Sequence, residues 1–163
     1  VTLNGTTGVN TANSYVIIYR IKVLTCGTTN INVGTITATA AIDGTVTCSI
    51  LPSIGQTQMA IYGIPSIQTL YMTQFSASIN DSGAQTRVDI NLMVNESPQT
   101  SPLNVRFIRK ADIQIQNSGS SLVRRDFCPY YAIPGPAIIK LQGVASAADV
   151  DLSGSFQGYL VTN

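Results

Sequence analysis

Alternation with a period of two runs through this chain from end to end, and no stretch of helical period interrupts it. In Ile36-Thr-Ala-Thr-Ala40 and Thr86-Arg-Val-Asp-Ile-Asn-Leu-Met-Val94, every second residue is apolar. That spacing places one face of an extended segment in a core and the other in water. Runs of this kind recur between turn-forming residues: Gln58–Ile64, Thr69–Ile79, Thr86–Val94, Asn104–Ile108, Asp112–Gln116, Leu122–Phe127, Ala137–Ala145, Asp149–Leu152 and Ser155–Thr162. With the segments before them they predict nine to eleven strands. The fold class is therefore all-β, an antiparallel β-sandwich of jelly-roll-like form.

Asp43-Gly44 separates Ile36–Ile42 from Val46–Ile50. Both residue types tolerate positive φ, which predicts a tight type I′ hairpin turn flanked by Ile42 and Thr45. Residues 1–13 are small, polar and turn-prone and read as a loop or arm. Residues 14–163 read as a single sandwich domain. Tyr15–Thr25 is apolar on both faces, with Tyr15, Ile17, Tyr19, Ile21 and Val23 on one side and Val16, Ile18 and Leu24 on the other. A strand of that kind is covered on both sides, by its own fold or by another subunit. Tyr15, Ile18 and Leu24 are accordingly candidate interface residues. Pro129, Pro134 and Pro136 predict a stiff, irregular loop that presents Tyr130 and Tyr131, candidates for an interface or for stacking on a sugar.

Charged residues make up 10% of the chain, against about 25% in ordinary globular proteins. Its polar surface must then be built from Thr, Ser, Asn and Gln. With a net charge of +1, nothing steers the chain towards nucleic acid or anionic lipid. Arg109-Lys110 and Arg124-Arg125 are the adjacent basic pairs and read as solvated strand ends. No apolar run reaches the roughly 20 residues that span a bilayer; Arg20 and Lys22 break the longest.

The chain contains no histidine, and Glu96 is its one glutamate. Ser-His and Cys-His pairings are impossible, and so is a zinc site that needs imidazole. No phosphate-binding glycine loop is present. We expect no enzyme activity, no catalytic residue, no cofactor and no metal. Asp149 and Asp151 share a strand face and read as a polar rim, with a calcium site as the sharper alternative. Cys26, Cys48 and Cys128 are odd in number; Cys48 is in phase with Val46 and Ile50 and should point inward as a free thiol, with a Cys26–Cys48 disulfide as the alternative. Sequons occur at Asn4, Asn80 and Asn95, as expected by chance in so Asn- and Ser-rich a chain.

Four stretches carry a resemblance: Gly34–Thr47, Gly55–Pro65, Tyr71–Asn80 and Ile133–Gly154, the last reading Ile-Pro-Gly-Pro-Ala-Ile-Ile-Lys-Leu-Gln-Gly-Val-Ala-Ser-Ala-Ala-Asp-Val-Asp-Leu-Ser-Gly. Together they resemble a family of virion structural proteins of marine tailed bacteriophages and related aquatic viruses. The likeness runs from about Tyr15 onward and departs over Asn104–Phe127. It implies a virion surface component, a capsid decoration, spike or fibre module, built as a homo-oligomer with a trimer as the expected form. Other virion proteins would be its partners, and a host-receptor or glycan-binding module is the alternative role. It also implies that the chain, which opens on Val1, is the C-terminal portion of a longer protein.

Overall fold

The computed structural model describes residues 1–3, 5–15, 18–28, 31–80, 86–98, 106–117, 121–147 and 150–163. They contain nine strands and, among the described residues, no helix. Every strand pairing is antiparallel, as the sequence predicts. The backbone falls into two compact units, residues 1–57 and residues 58–163.

Residues 1–57 hold one two-stranded sheet, β1 (Ile36–Thr39) and β2 (Val46–Ile50). The hairpin forms, but its turn is wider than a two-residue type I′ loop. Ala40 N–H donates to Thr45 O and Gly44 N–H to Ala40 O, at 2.8 and 3.1 Å. Only Gly44 takes positive φ, at 72°. Asp43 instead accepts a hydrogen bond from Thr45 N–H at 3.0 Å, a local bond that satisfies the turn without a left-handed aspartate. That bond, chiefly, lowers the Asp43 carboxyl below its ordinary value.

Tyr15–Thr25 is not a strand among its described residues; Val16 and Ile17 lie outside them. Apolar residues alone do not make a ladder, which needs a partner backbone. Here the partner is short. Val23 N–H donates to Gly55 O, Thr57 N–H donates to Ile21 O, and Lys22 bridges Gln56. The turn before Gly55 is held by Asn32, whose Nδ2 donates to Gly34 O and Leu51 O and whose Oδ1 accepts from Gly55 N–H.

Residues 58–163 hold two sheets. One has four strands in the order β3 (Ile61–Ile64), β8 (Ala137–Ala145), β5 (Thr86–Asn95), β6 (Ile108–Asn117). The other has three, β7 (Ser121–Pro134), β4 (Gln68–Asn80), β9 (Asp151–Thr162). They share one core in the manner of a β-sandwich. Leu70, Met72, Phe75, Ala77 and Ile79 of β4 meet Val88, Ile90, Leu92 and Val94 of β5 with Ala111, Ile113 and Ile115 of β6. Burying a valine, leucine, isoleucine, methionine or phenylalanine side chain contributes roughly 1.5–3 kcal/mol.

The buried row of β4 steps from Met72 to Phe75, three residues rather than two. Thr73 is the reason. Met72 opposes Gly158 and Gln74 opposes Gln157, so Thr73 is an extra residue against β9. Against β7, Met72 opposes Tyr131 and Gln74 opposes Asp126, so Phe127–Tyr130 bulge out at the same point. This bulge also explains why Leu122–Phe127 and the proline-rich stretch form one strand rather than a strand and a loop. Pro129 lacks an N–H, and a bulge on an edge strand is where a sheet tolerates that. Asp112–Gln116 is extended back through Arg109-Lys110 to Ile108 as β6; of the expected strand Asn104–Ile108, Arg106 and Phe107 lie in no strand and residues 104–105 lie outside the described set. Gly135 stands where the β7–β8 connection crosses the β3–β4 connection. Its N–H donates to Gln68 O, and a Cβ would fall on the Pro65 carbonyl.

Candidate interaction surface

The β4 row opposite the core points outward. Near its start, after Thr69, stands Tyr71, which opposes Tyr159 of β9. The two rings stack with centroids 5.4 Å apart and planes 13° apart. Tyr130, carried outward by the bulge of β7, stands edge-on to Tyr159 at 5.7 Å and 89°. Three tyrosines from three strands thus form one aromatic patch at one end of the outer face. Offset stacking and edge-to-face contact are the arrangements that ring quadrupoles favour.

Around and beyond the patch the face is neutral and hydroxyl-rich. Thr69 Oγ1 donates to Asn163 Oδ1 at 2.8 Å, Thr73 Oγ1 donates to Gln157 O at 3.2 Å, and the Ser76 and Ser155 hydroxyls lie 2.9 Å apart. Arg124 and Asp126 pair on this face at 3.1 Å. Pairing of this kind recurs at the other basic residues singled out from the sequence. Lys110 meets Glu96 at 2.7 Å, Arg109 reaches Asn91 Oδ1 at 3.4 Å, and Arg125 donates to Asp112 O at 3.1 Å. Their hydrogen-bonding groups are turned to neighbours.

The candidate residues are not gathered in one place. Tyr130 is exposed, whereas Tyr131 turns to the core side, 5.7 Å from Phe127. Both lie within β7, not in a proline loop; neighbouring positions on a strand face opposite ways. Tyr15 is exposed, Ile18 half-buried and Leu24 86% exposed. Leu24 lines an open cavity of about 430 Å³ within residues 1–57, with Val23, Cys26, Ile31 and Ile54. Tyr71 and Tyr159 went unnoticed in the sequence. In the sequence Tyr71 is in phase with Phe75, Ala77 and Ile79, and only the extra residue Thr73 turns it to the opposite face.

All three cysteines are free, Cys48 buried, Cys26 half-buried and Cys128 exposed, so the Cys26–Cys48 disulfide is not formed. Burial pushes the Cys48 thiol up. Among the described residues no group of three acidic, cysteine or histidine side chains could hold a metal ion; Asp149 lies outside them and Asp151 is exposed. Asn95 is 2% exposed, and its Oδ1 accepts from Ser97 N–H at 3.0 Å, so the folded chain offers no glycan acceptor there. Asn4 of the first sequon and Asp81 and Ser82 of the second lie outside the described residues.

No protein-family model, curated protein or solved structure matches the chain.

Proposed function

We propose that this protein is a structural component of a virus particle surface, a capsid decoration, spike or fibre module that works by associating with copies of itself and with neighbouring virion proteins. The observation that carries the proposal is the balance of burial in residues 1–57. Cys48 and Ile50 are the buried hydrophobic residues described there, while Leu3, Leu24, Val33, Ile42, Val46 and Leu51 are exposed. A free monomer rarely keeps so much apolar surface in water, whereas a neighbouring subunit covers it. The β-sandwich and its neutral, hydroxyl-rich face also support the role. Sandwiches bury long ladders on both sides of one core, and few charges leave surfaces free to pack. Five of the six steps between successive described strands of residues 58–163 pass from one sheet to the other, which supports the jelly-roll-like variant. The test is mass spectrometry of purified particles, with peptides of this chain quantified against the major capsid protein. A fixed copy number per particle is expected. Absence of the chain from intact particles whose genome encodes it would overturn the proposal.

The tyrosine patch favours a second reading, a module that binds host-surface glycans. Aromatic rings beside Thr, Asn and Gln groups suit the apolar face and hydroxyl rim of a sugar. On a glycan array, binding by the native chain that Tyr159→Ala abolishes is the expected pattern; no binding by the native chain would exclude this role.

A further inference from the structure

Residues 58–163 have four edge strands, and three of them are guarded. β3 has four residues. β6 carries Arg109, Lys110 and Asp112, with Lys110 itself the extra residue between the pairs Met93–Arg109 and Leu92–Ala111. β7 carries Arg124, Arg125 and Asp126 and the bulge with Pro129. Short length, charge, proline and bulges are the devices that stop a sheet edge from pairing with another chain. β9 is neither short nor bulged. It runs for twelve residues, DLSGSFQGYLVT, with no proline and with Asp151 at its start as its one charge.

The core-side row of β9 has a further property. Leu152, Gly154, Phe156, Gly158 and Leu160 oppose the buried residues Ile79, Ala77, Phe75, Met72 and Leu70 of β4. Leu-Gly-Phe-Gly-Leu reads the same from either end, with Phe156 at its centre. Leu152 and Leu160 are also 40% and 37% exposed although they face inward. In an antiparallel pair, directly opposed residues share a face. Two β9 strands related by a twofold axis at Phe156 would therefore set Leu152 against Leu160 of the second copy, Gly154 against Gly158, and Phe156 against Phe156. A twofold interface requires this self-complementarity. On the outer face Ser153 would meet Tyr159, Ser155 would meet Gln157, and Asp151 would meet Val161. The two Asp151 carboxylates then lie at opposite ends of the seam, whereas a parallel pairing would bring them side by side.

We propose that β9 pairs antiparallel with β9 of a second copy about Phe156, joining two sheets into one running β7-β4-β9-β9-β4-β7. The seam rests on β9 alone and would form in a particle protein and in a free one alike, so failure to find the chain on particles leaves it standing.

Light scattering of the full chain across about 1–100 µM tests the pairing, because a dimer dissociates with dilution. A dimer is expected. The double variant Ser153→Lys/Ser155→Lys places charges on exposed positions of the edge, and we expect at least a tenfold weaker dimer, with an unchanged melting temperature at dilutions where both chains are monomers. Register is read by disulfide formation in a background with Cys26 and Cys128 replaced by serine. Directly opposed residues have Cα atoms about 4.5–5.5 Å apart, within the roughly 4.4–6.8 Å that a disulfide spans. Ser155→Cys copies mixed with Gln157→Cys copies should therefore cross-link, and neither should do so alone. A monomer at about 100 µM, a trimer, a dimer unaffected by the lysines, or a dimer without the mixed cross-link would each overturn the proposal.

Discussion

Asn32 shows how one buried polar side chain can organise a region with few apolar contacts. Its side chain bonds to Gly34 O, Leu51 O and Gly55 N–H, while its backbone oxygen accepts from Ser53 N–H. Asn32→Ala removes three bonds at once and leaves their partners partly buried. Unmet buried groups cost about 1–3 kcal/mol each, so the turn at 51–55 should loosen. Faster hydrogen exchange at the Gly55 amide is the expected outcome, and unchanged protection there would contradict this role. The cysteines give a second prediction. Thiolate is the reactive form, and burial raises the Cys48 thiol. At neutral pH an alkylating reagent should label the exposed Cys128 promptly and Cys48 only on unfolding, as peptide mass spectrometry would show.

Among the elements, the β1–β2 hairpin depends on Gly44. No atom lies within 4 Å of a Cβ built there, so the cost of Gly44→Val is backbone strain rather than collision. A β-branched residue at φ 72° should lose on the order of 1 kcal/mol or more, and an unchanged melting curve would refute it. The β5–β6 pair predicts a pH effect. The Glu96 carboxylate, hydrogen-bonded to Lys110, raises the ammonium pKa above its ordinary 10.5. A raised pKa means that the stabilisation is complete below 10.5 and lost as pH climbs through the raised value. Melting of the native chain at alkaline pH should show this loss, less than about 1 kcal/mol for so accessible a pair. Lys110→Gln should remove that component.

These elements also show what was legible in the sequence. β4, β5 and β8 stand close to their predicted bounds because each is an apolar-rich run between turn-forming residues and is paired on both sides. Tyr15–Thr25 misled because apolar content reports burial only when a partner exists, and the partner reached only from Gly55 to Thr57. Pro129 misled in the opposite direction, since a local breaker was absorbed by a bulge set by the pairing with β4. The tyrosine patch was illegible for the same reason: Tyr71, Tyr130 and Tyr159 meet only through cross-strand register and that bulge.

At the scale of the whole molecule, stability is unevenly distributed. The main core, from Ile64 to Ile139, lies within residues 58–163, whereas residues 1–57 bury few hydrophobic side chains. A fragment of residues 58–163 should therefore give a sheet-type circular dichroism spectrum and a cooperative melt, and a fragment of residues 1–57 should not. A featureless melt of the larger fragment would contradict this. The bulge at Thr73 bears on how such a molecule avoids mispairing. Ser- and Gly-rich strands such as β9 specify their register weakly, and a slip of one residue turns every side chain to the wrong face. Because β4 changes phase at Thr73 while paired on both sides, its two halves act like two notches cut at unequal spacing. A neighbour that slides to suit one half misfits the other, so the defect in the ladder serves as its ratchet, holding a neutral strand in a single alignment.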